Sequence, residues 1–220
     1  DPRLKVHNPG GKFGITNARN YLLREAQGKF VGVLDADDIC LPWRFRIQIR
    51  RLQKGYGLVC GTAVIFGRNL KPIPLLPQLP LRLDSENLQT ALALANPIVH
   101  STVTFDKEVV RDLGGYPETW PLEDYTLWLR MAGSGIRMMR SAFPVALYRF
   151  HAKQTTQTSN RGDMPEVKSL VKQARDALIL KLGYQGDEGA LRKNAYKRVP
   201  LLRLEHYGLG GINSKKKRPS

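Results

Sequence analysis

Phe30-Val31-Gly32-Val33-Leu34 runs directly into Asp35-Ala36-Asp37-Asp38, and the reading of this stretch decides the fold class. An unbroken apolar run of that length reads as a buried parallel strand. Carboxylates crowded at its exit read as a site, because ligands of open α/β sheets sit just beyond the carboxyl ends of the strands. Residues i and i+2 of an extended chain point to the same side, so Asp35 and Asp37 project together. Two converging carboxylates repel unless a cation lies between them, and such hard oxygen donors suit magnesium or manganese. Asp38 is a second ligand or a cap for the helix that Pro42 opens. Turning the chain is the plainer task for these acids, but it does not need three Asp in four residues.

Outward from this stretch, elements alternate. Leu4–Val6 reads as a short strand and Asn8-Pro9-Gly10-Gly11 as a turn. Ala18, Leu22, Leu23 and Ala26 recur at helical spacing over 15–27, with Gly28 as the stop. The Pro42 helix puts Phe45, Ile49 and Leu52 on one face and Arg44, Arg50, Arg51 and Lys54 elsewhere. Strands follow at 58–66, 101–105, 136–139 and 145–150. Helices are expected at 86–94, capped by Asp84 or Ser85, and at 107–113, stopped by Gly114-Gly115. Pro121 opens another helix, with Leu122, Tyr125 and Leu129 on its apolar face. The strongest amphipathic pattern spans 165–182. Its Lys168, Lys172, Arg175 and Lys181 would suit a membrane surface, and its apolar face would equally suit packing on the domain. Residues 67–83 hold four prolines and read as a long ordered loop. The alternation predicts an α/β domain with a mostly parallel sheet flanked by helices.

The chain has 220 residues, 42% of them hydrophobic, which is enough for a packed core and excludes a disordered or collagen-like chain. No run approaches the ~20 apolar residues of a membrane span. Cys40 and Cys60 are too few for a disulfide framework and read as buried free thiols, in keeping with a reducing compartment. Lys and Arg number 35 against 19 Asp and Glu, a net charge of +16. Such a field attracts polyanions: nucleic acid, anionic membrane or phosphate-rich substrates. A second acidic pair, Glu123-Asp124, lies in the first turn of the Pro121 helix. Acids there stabilise a helix by roughly 0.3–1 kcal/mol, and the same dipole keeps a carboxylate ionised for use as a general base.

Three segments, Asn17-Ala18-Arg19-Asn20, Ala26-Gln27-Gly28-Lys29-Phe30 and Leu34-Asp35-Ala36-Asp37-Asp38 with Pro42, together resemble the family 2 glycosyltransferases of the GT-A fold. Leu113-Gly114-Gly115-Tyr116-Pro117-Glu118, then Glu123-Asp124-Tyr125-Thr126-Leu127-Trp128-Leu129-Arg130, and Tyr148-Arg149-Phe150-His151 fit the same family. The likeness covers about residues 1–160. It implies a GT-A-like (Rossmann-like) domain over 1–160, after which the apolar pattern and the excess of Lys and Arg give a C-terminal amphipathic helix at 161–183 and a basic flexible tail at 184–220. Asp35-Ala36-Asp37 resembles the DxD motif, with Asp37 as the ligand of a Mn²⁺ or Mg²⁺ ion and Asp35 facing the ribose or a metal-bound water. Arg19 and Asp38 would join the nucleotide-sugar site. His151 would reach the metal or diphosphate. Asp124 matches the catalytic base, with Glu123 beside it. His100 reads as structural or, like His151, as a contact to the metal or diphosphate. Trp128 reads as packing, and Trp120 as packing or a platform for an acceptor sugar.

The implied activity is metal-dependent, inverting transfer from a nucleotide-sugar, a UDP-sugar by family frequency, to an acceptor hydroxyl of a glycan or lipid-linked acceptor. Its setting would be cell envelope polysaccharide synthesis, in the cytoplasm and peripheral to the inner membrane face. In this family a strand-helix-strand unit that binds the base normally precedes the segment at which this chain starts. The resemblance therefore implies an N-terminally truncated transferase lacking that unit. Two other readings compete. A basic module binding nucleic acid or anionic membrane accounts for the charge, though the basic residues lack interleaved aromatics. A Mg²⁺-dependent phosphatase of the haloacid-dehalogenase type also places Asp-x-Asp after a strand, but it needs a downstream Lys and Asp pair that is not evident.

Overall fold

The structure is a computed structural model that describes residues 1–7, 14–66, 81–150, 164–200 and 202. Its described helices are α1 (Ile15–Glu25), α2 (Arg44–Leu52), α3 (Ser85–Leu94), α4 (Lys107–Asp112), α5 (Glu123–Gly133), α6 (Pro165–Lys181) and α7 (Glu188–Arg198). The strands are β1 (Phe30–Gly32), β2 (Ile39–Cys40), β3 (Leu58–Phe66), β4 (Thr104–Asp106) and β5 (Met138–Arg149). They form one sheet in the order β1-β4-β3-β5-β2.

The α/β class stands, but the sheet is mixed rather than mostly parallel. Only β3 and β5 run parallel among the described pairs; β1–β4, β4–β3 and β5–β2 are antiparallel. β1 is a half-buried edge strand, not a buried one, and its ladder ends at Gly32. An apolar run does not by itself reveal how many neighbours a strand has. Leu4 and Val6 are 73% and 85% exposed and belong to no strand, since none of the described strands lies beside them. The strands expected at 136–139 and 145–150 are one 12-residue strand with a register shift opposite Cys60–Ala63. The turn at 8–11 and most of the Pro-rich loop lie outside the described residues. Leu83, at the end of that loop, bridges Arg140.

The core lies between the sheet and the helices α3, α5, α6 and α7, with Leu58, Leu88, Leu92, Phe105, Leu127 and Trp128 essentially sealed from solvent. Of the two roles open to α6, the structure displays packing on the domain. Val171, Leu178 and Ile179 are buried against α5 and α3, and Lys181 Nζ donates to Gly133 O at 2.7 Å. The chain beyond Leu182 is not all tail, because α7 buries Leu191 and Ala195. Cys60 is buried and Cys40 half-buried, both as free thiols.

The largest departure from the sequence reading is on α2. Arg44, read as off the apolar face, is fully buried, while Phe45, read as on it, is 44% exposed. The Arg44 guanidinium donates to the carbonyls of Val33, Ser101 and Val103 at 2.6–2.8 Å and to Gln48 Oε1 at 3.0 Å. Gln48, also buried, donates to Val59 O and Thr102 O. These bonds hold together the strand exit at Val33, the 3-10 turn His100–Thr102 and β4. Burial pushes the Arg44 pKa down, yet the acceptors around it keep the cation satisfied. Arg44→Ala strands several buried carbonyls and should lower stability by about 3 kcal/mol in denaturant unfolding. A loss under about 1 kcal/mol would show that water replaces the guanidinium without penalty.

Candidate functional site

The site forms where β1 ends, where the 3-10 turn passes beneath it and where α5 begins. Asp35–Asp38 is a turn closed by Asp38 N donating to Asp35 O at 3.1 Å, not extended chain. The alternation that would aim Asp35 and Asp37 to one side therefore does not apply. Asp35 N donates to Ser101 Oγ at 3.1 Å. Its carboxylate faces His100 Nδ1 and Arg19 Nη2, each at 3.8 Å. His100 and Arg19 hold the Asp35 carboxyl below the usual carboxylate range, against the opposing effect of burial.

Arg19 is the bridge. Its Nη1 donates to Glu123 Oε1, the first residue of α5, and its guanidinium lies 5.6 Å from the Tyr116 ring centroid. One arginine thus joins the strand-end acid to the helix-start acid. Glu123 is buried, and its Oε2 has no partner among the described residues. Tyr116 OH and His100 Nε2 share a hydrogen bond at 3.0 Å. Tyr116 is buried, feels the fields of Asp35, Glu123 and Asp124, and is held protonated well above its usual range, chiefly by desolvation. Asn20 fixes α1 to this segment by accepting from Tyr116 N at 2.7 Å and donating to Tyr116 O at 2.8 Å. Gly115, at φ 77°, leaves room for Asn20 Oδ1, which would lie 2.5 Å from an added Cβ.

The other predicted residues divide. Asp124 is half-buried beside Glu123, with Oδ1 accepting from Tyr125 N at 2.6 Å. Asp38 points inward: Oδ1 accepts from Arg149 N at 2.8 Å, and burial pushes its carboxyl up. It caps no helix, since Trp43 holds that place in α2. Arg149 Nε also donates to Asp37 O at 2.9 Å, which ties the carboxylate turn to the end of β5. His151 lies outside the described residues. Trp128 is packing, as expected, in a ring cluster with His100 and Tyr116. Ser101 is a neighbour that no sequence motif marks, and no spacing pattern links His100 or Arg149 to the Asp cluster.

Residues 1–114 match the family model described as glycosyl transferase family 2. The chain belongs to that family. It is 32% identical over 122 residues to the amylovoran biosynthesis glycosyltransferase AmsE of Erwinia amylovora, covering 56% of this chain and 45% of that protein. It is 27% identical over 164 residues to the O-antigen biosynthesis glycosyltransferase WbnJ of Escherichia coli, covering 72% and 62%. The chain thus spans about half to three fifths of the length of these relatives. Among solved structures, S. aureus TarS 1-349 in complex with UDP-GlcNAc superposes with a TM-score of 0.57 at 15% identity, over 93% of this chain and 62% of that one. At that identity the likeness is one of fold. Family membership displaces the phosphatase reading.

Arg19→Ala should destabilise the fold by about 2 kcal/mol, because it leaves the Glu123 carboxylate buried and unpaired. Glu123→Gln should cost less, and the double variant should recover part of the loss. Additive losses in denaturant unfolding would show that the two residues are not coupled.

Proposed function

We propose that this chain carries the donor-and-base site of a metal-dependent, inverting glycosyltransferase that moves a sugar from a nucleotide diphosphate, a UDP-sugar, to an acceptor hydroxyl. The observation that carries this reading is the Arg19 bridge from Asp35 to Glu123, which holds the strand-end acids and the base-bearing helix in one place. The names of two relatives refer to amylovoran and O-antigen biosynthesis, which supports a glycan acceptor, and TarS is described with UDP-GlcNAc.

Asp124 takes the proton of the acceptor hydroxyl. The oxygen attacks the anomeric carbon from the face opposite the diphosphate, a C–O bond forms, and the bond to the leaving phosphate oxygen breaks with its electron pair. One displacement inverts the carbon. Arg19 places positive charge beside the leaving group. Asp35 and Asp37 supply hard oxygen donors of the kind Mn²⁺ or Mg²⁺ takes. The described residues hold no cluster of three or more His, Cys, Asp or Glu fit for a metal, but such an ion needs only one or two carboxylates plus substrate phosphate and water. When bound, the ion would neutralise the charge that grows on the diphosphate. Asp38, turned toward Arg149, would serve by fixing the turn. The +16 charge would favour anionic donors and an anionic membrane face, and no helix among the described residues is long and apolar enough to cross a membrane.

Calorimetric titration of UDP with Mn²⁺ should give binding that falls at least about tenfold in Asp37→Ala or on chelation; unchanged affinity would remove Asp37 as a ligand. Asp124→Asn should keep UDP binding and lose transfer by about 10²–10⁴-fold. Retained transfer would exclude it as the base.

A further inference from the structure

His100 is a buried histidine whose two ring nitrogens face different groups. The residue is 8% exposed, and its ring packs beside Tyr116 and Trp128. Packing alone would be served by an apolar ring, and a buried imidazole costs stability unless its polar atoms are paired. Nε2 lies 3.0 Å from Tyr116 Oη. Nδ1 has no hydrogen-bond partner among the described residues and faces the Asp35 carboxylate at 3.8 Å. Of the two nitrogen donors on that carboxylate, Arg19 is shared with Glu123, which leaves His100 Nδ1 as the one uncommitted to another acid among the described residues.

Tyr116 sets the direction of the protons along this line. Its phenol is buried and held protonated, so its O–H is a donor, and His100 Nε2 is its acceptor among the described residues. In an imidazole with one proton, a nitrogen that accepts leaves the proton on the other. Nδ1–H therefore points at Asp35. Both ends of the line are braced. Arg44 and Gln48 pin the 3-10 turn that carries His100, by donating to Ser101 O and Thr102 O. Asn20 grips both the amide and the carbonyl of Tyr116. Ser101 Oγ accepts from the Asp35 amide, so the backbone there is fixed and the carboxylate is what remains to be steered.

We infer that Tyr116 and His100 are positioning residues that steer the Asp35 carboxylate: the phenol fixes the imidazole as its Nδ1–H tautomer, and Nδ1–H holds the carboxylate in one orientation. The inference rests on the glycosyl-transfer reading for what Asp35 then does, while the relay itself belongs to the unliganded chain. The Asp35 side chain is 44% exposed, and a turn about its own torsions shortens the 3.8 Å separation to a hydrogen bond. A ring with one proton orients the carboxylate without cancelling its charge. Asp35 therefore stays available as an acceptor for a cation or a hydroxyl, with its own geometry set by a rigid support.

Two measurements on the full chain test this. Long-range ¹H–¹⁵N NMR at about pH 8 should show the His100 ring protonated on Nδ1 and bare on Nε2. Tyr116→Phe should release that preference, and Asp35→Asn should move the Nδ1 resonance. In UDP–Mn²⁺ calorimetry, affinity should fall about tenfold in His100→Ala and severalfold in Tyr116→Phe. His100→Asn, whose amide places a donor near the Nδ1 position, should recover more affinity than His100→Gln, whose amide reaches the Nε2 position. With Asp35→Asn already in place, His100→Ala should change affinity by less than about twofold, because its route to the ligand is gone. Circular dichroism checks the fold of each variant, and if His100→Ala does not fold, His100→Asn and Tyr116→Phe carry the comparison. A proton on Nε2 in the wild type, equal recovery by Asn and Gln, or an undiminished loss on the Asp35→Asn background would each overturn the relay. The Nδ1–H tautomer, released by Tyr116→Phe, in a chain that binds no UDP would uphold the steering of Asp35 and count against the donor reading.

Discussion

A single buried guanidinium organises the ground on which the site stands. Arg44 is satisfied by backbone carbonyls drawn from two separate stretches of chain, Val33 and Ser101–Val103. That arrangement fixes where β1 stops, how the 3-10 turn lies under it and where β4 begins. The Asp35 turn inherits its position from this knot rather than from the sheet, since β1 contributes only three residues to the ladder. Ser101 completes the connection, with its carbonyl on Arg44 and its hydroxyl on the Asp35 amide.

From there a chain of contacts runs to α5. Asp35 faces Arg19 and His100, Arg19 binds Glu123, and His100 reaches Tyr116, whose ring meets Trp128 edge-on inside the core. The polar site is therefore laid on top of the hydrophobic core, without a flexible layer between. Rigid support of this kind is what positioning of a donor and a base requires.

Much of the fold could be read from the residues because it rests on local pattern. β3 spans the expected nine residues, α3 takes Asp84 as its cap, and α4 ends before the Gly114-Gly115 pair. The strand-exit acids and the helix-start acids could each be picked out from the residues, but only the family resemblance joined them, and the contact between Asp35 and Glu123 runs through Arg19. Three things were not readable. The apolar pattern of α2 leaves Arg44 off its inner face, and only tertiary acceptors distant in sequence bury it. The apolar run at Phe30–Leu34 suggested a buried parallel strand, whereas strand neighbours depend on topology. Asp38 reads as a second ligand or a helix cap, whereas its inward turn depends on an amide 111 residues away.

That last bond bears on lifetimes. The Arg149 amide closes β5 at its carboxyl end, where a strand ordinarily frays first. Because Asp38 accepts it and Asp37 O takes the Arg149 side chain, opening of the carboxylate turn and fraying of the longest strand become one event. The turn thereby acquires the slow opening of a 12-residue strand packed against β3, not the fast opening of a surface loop.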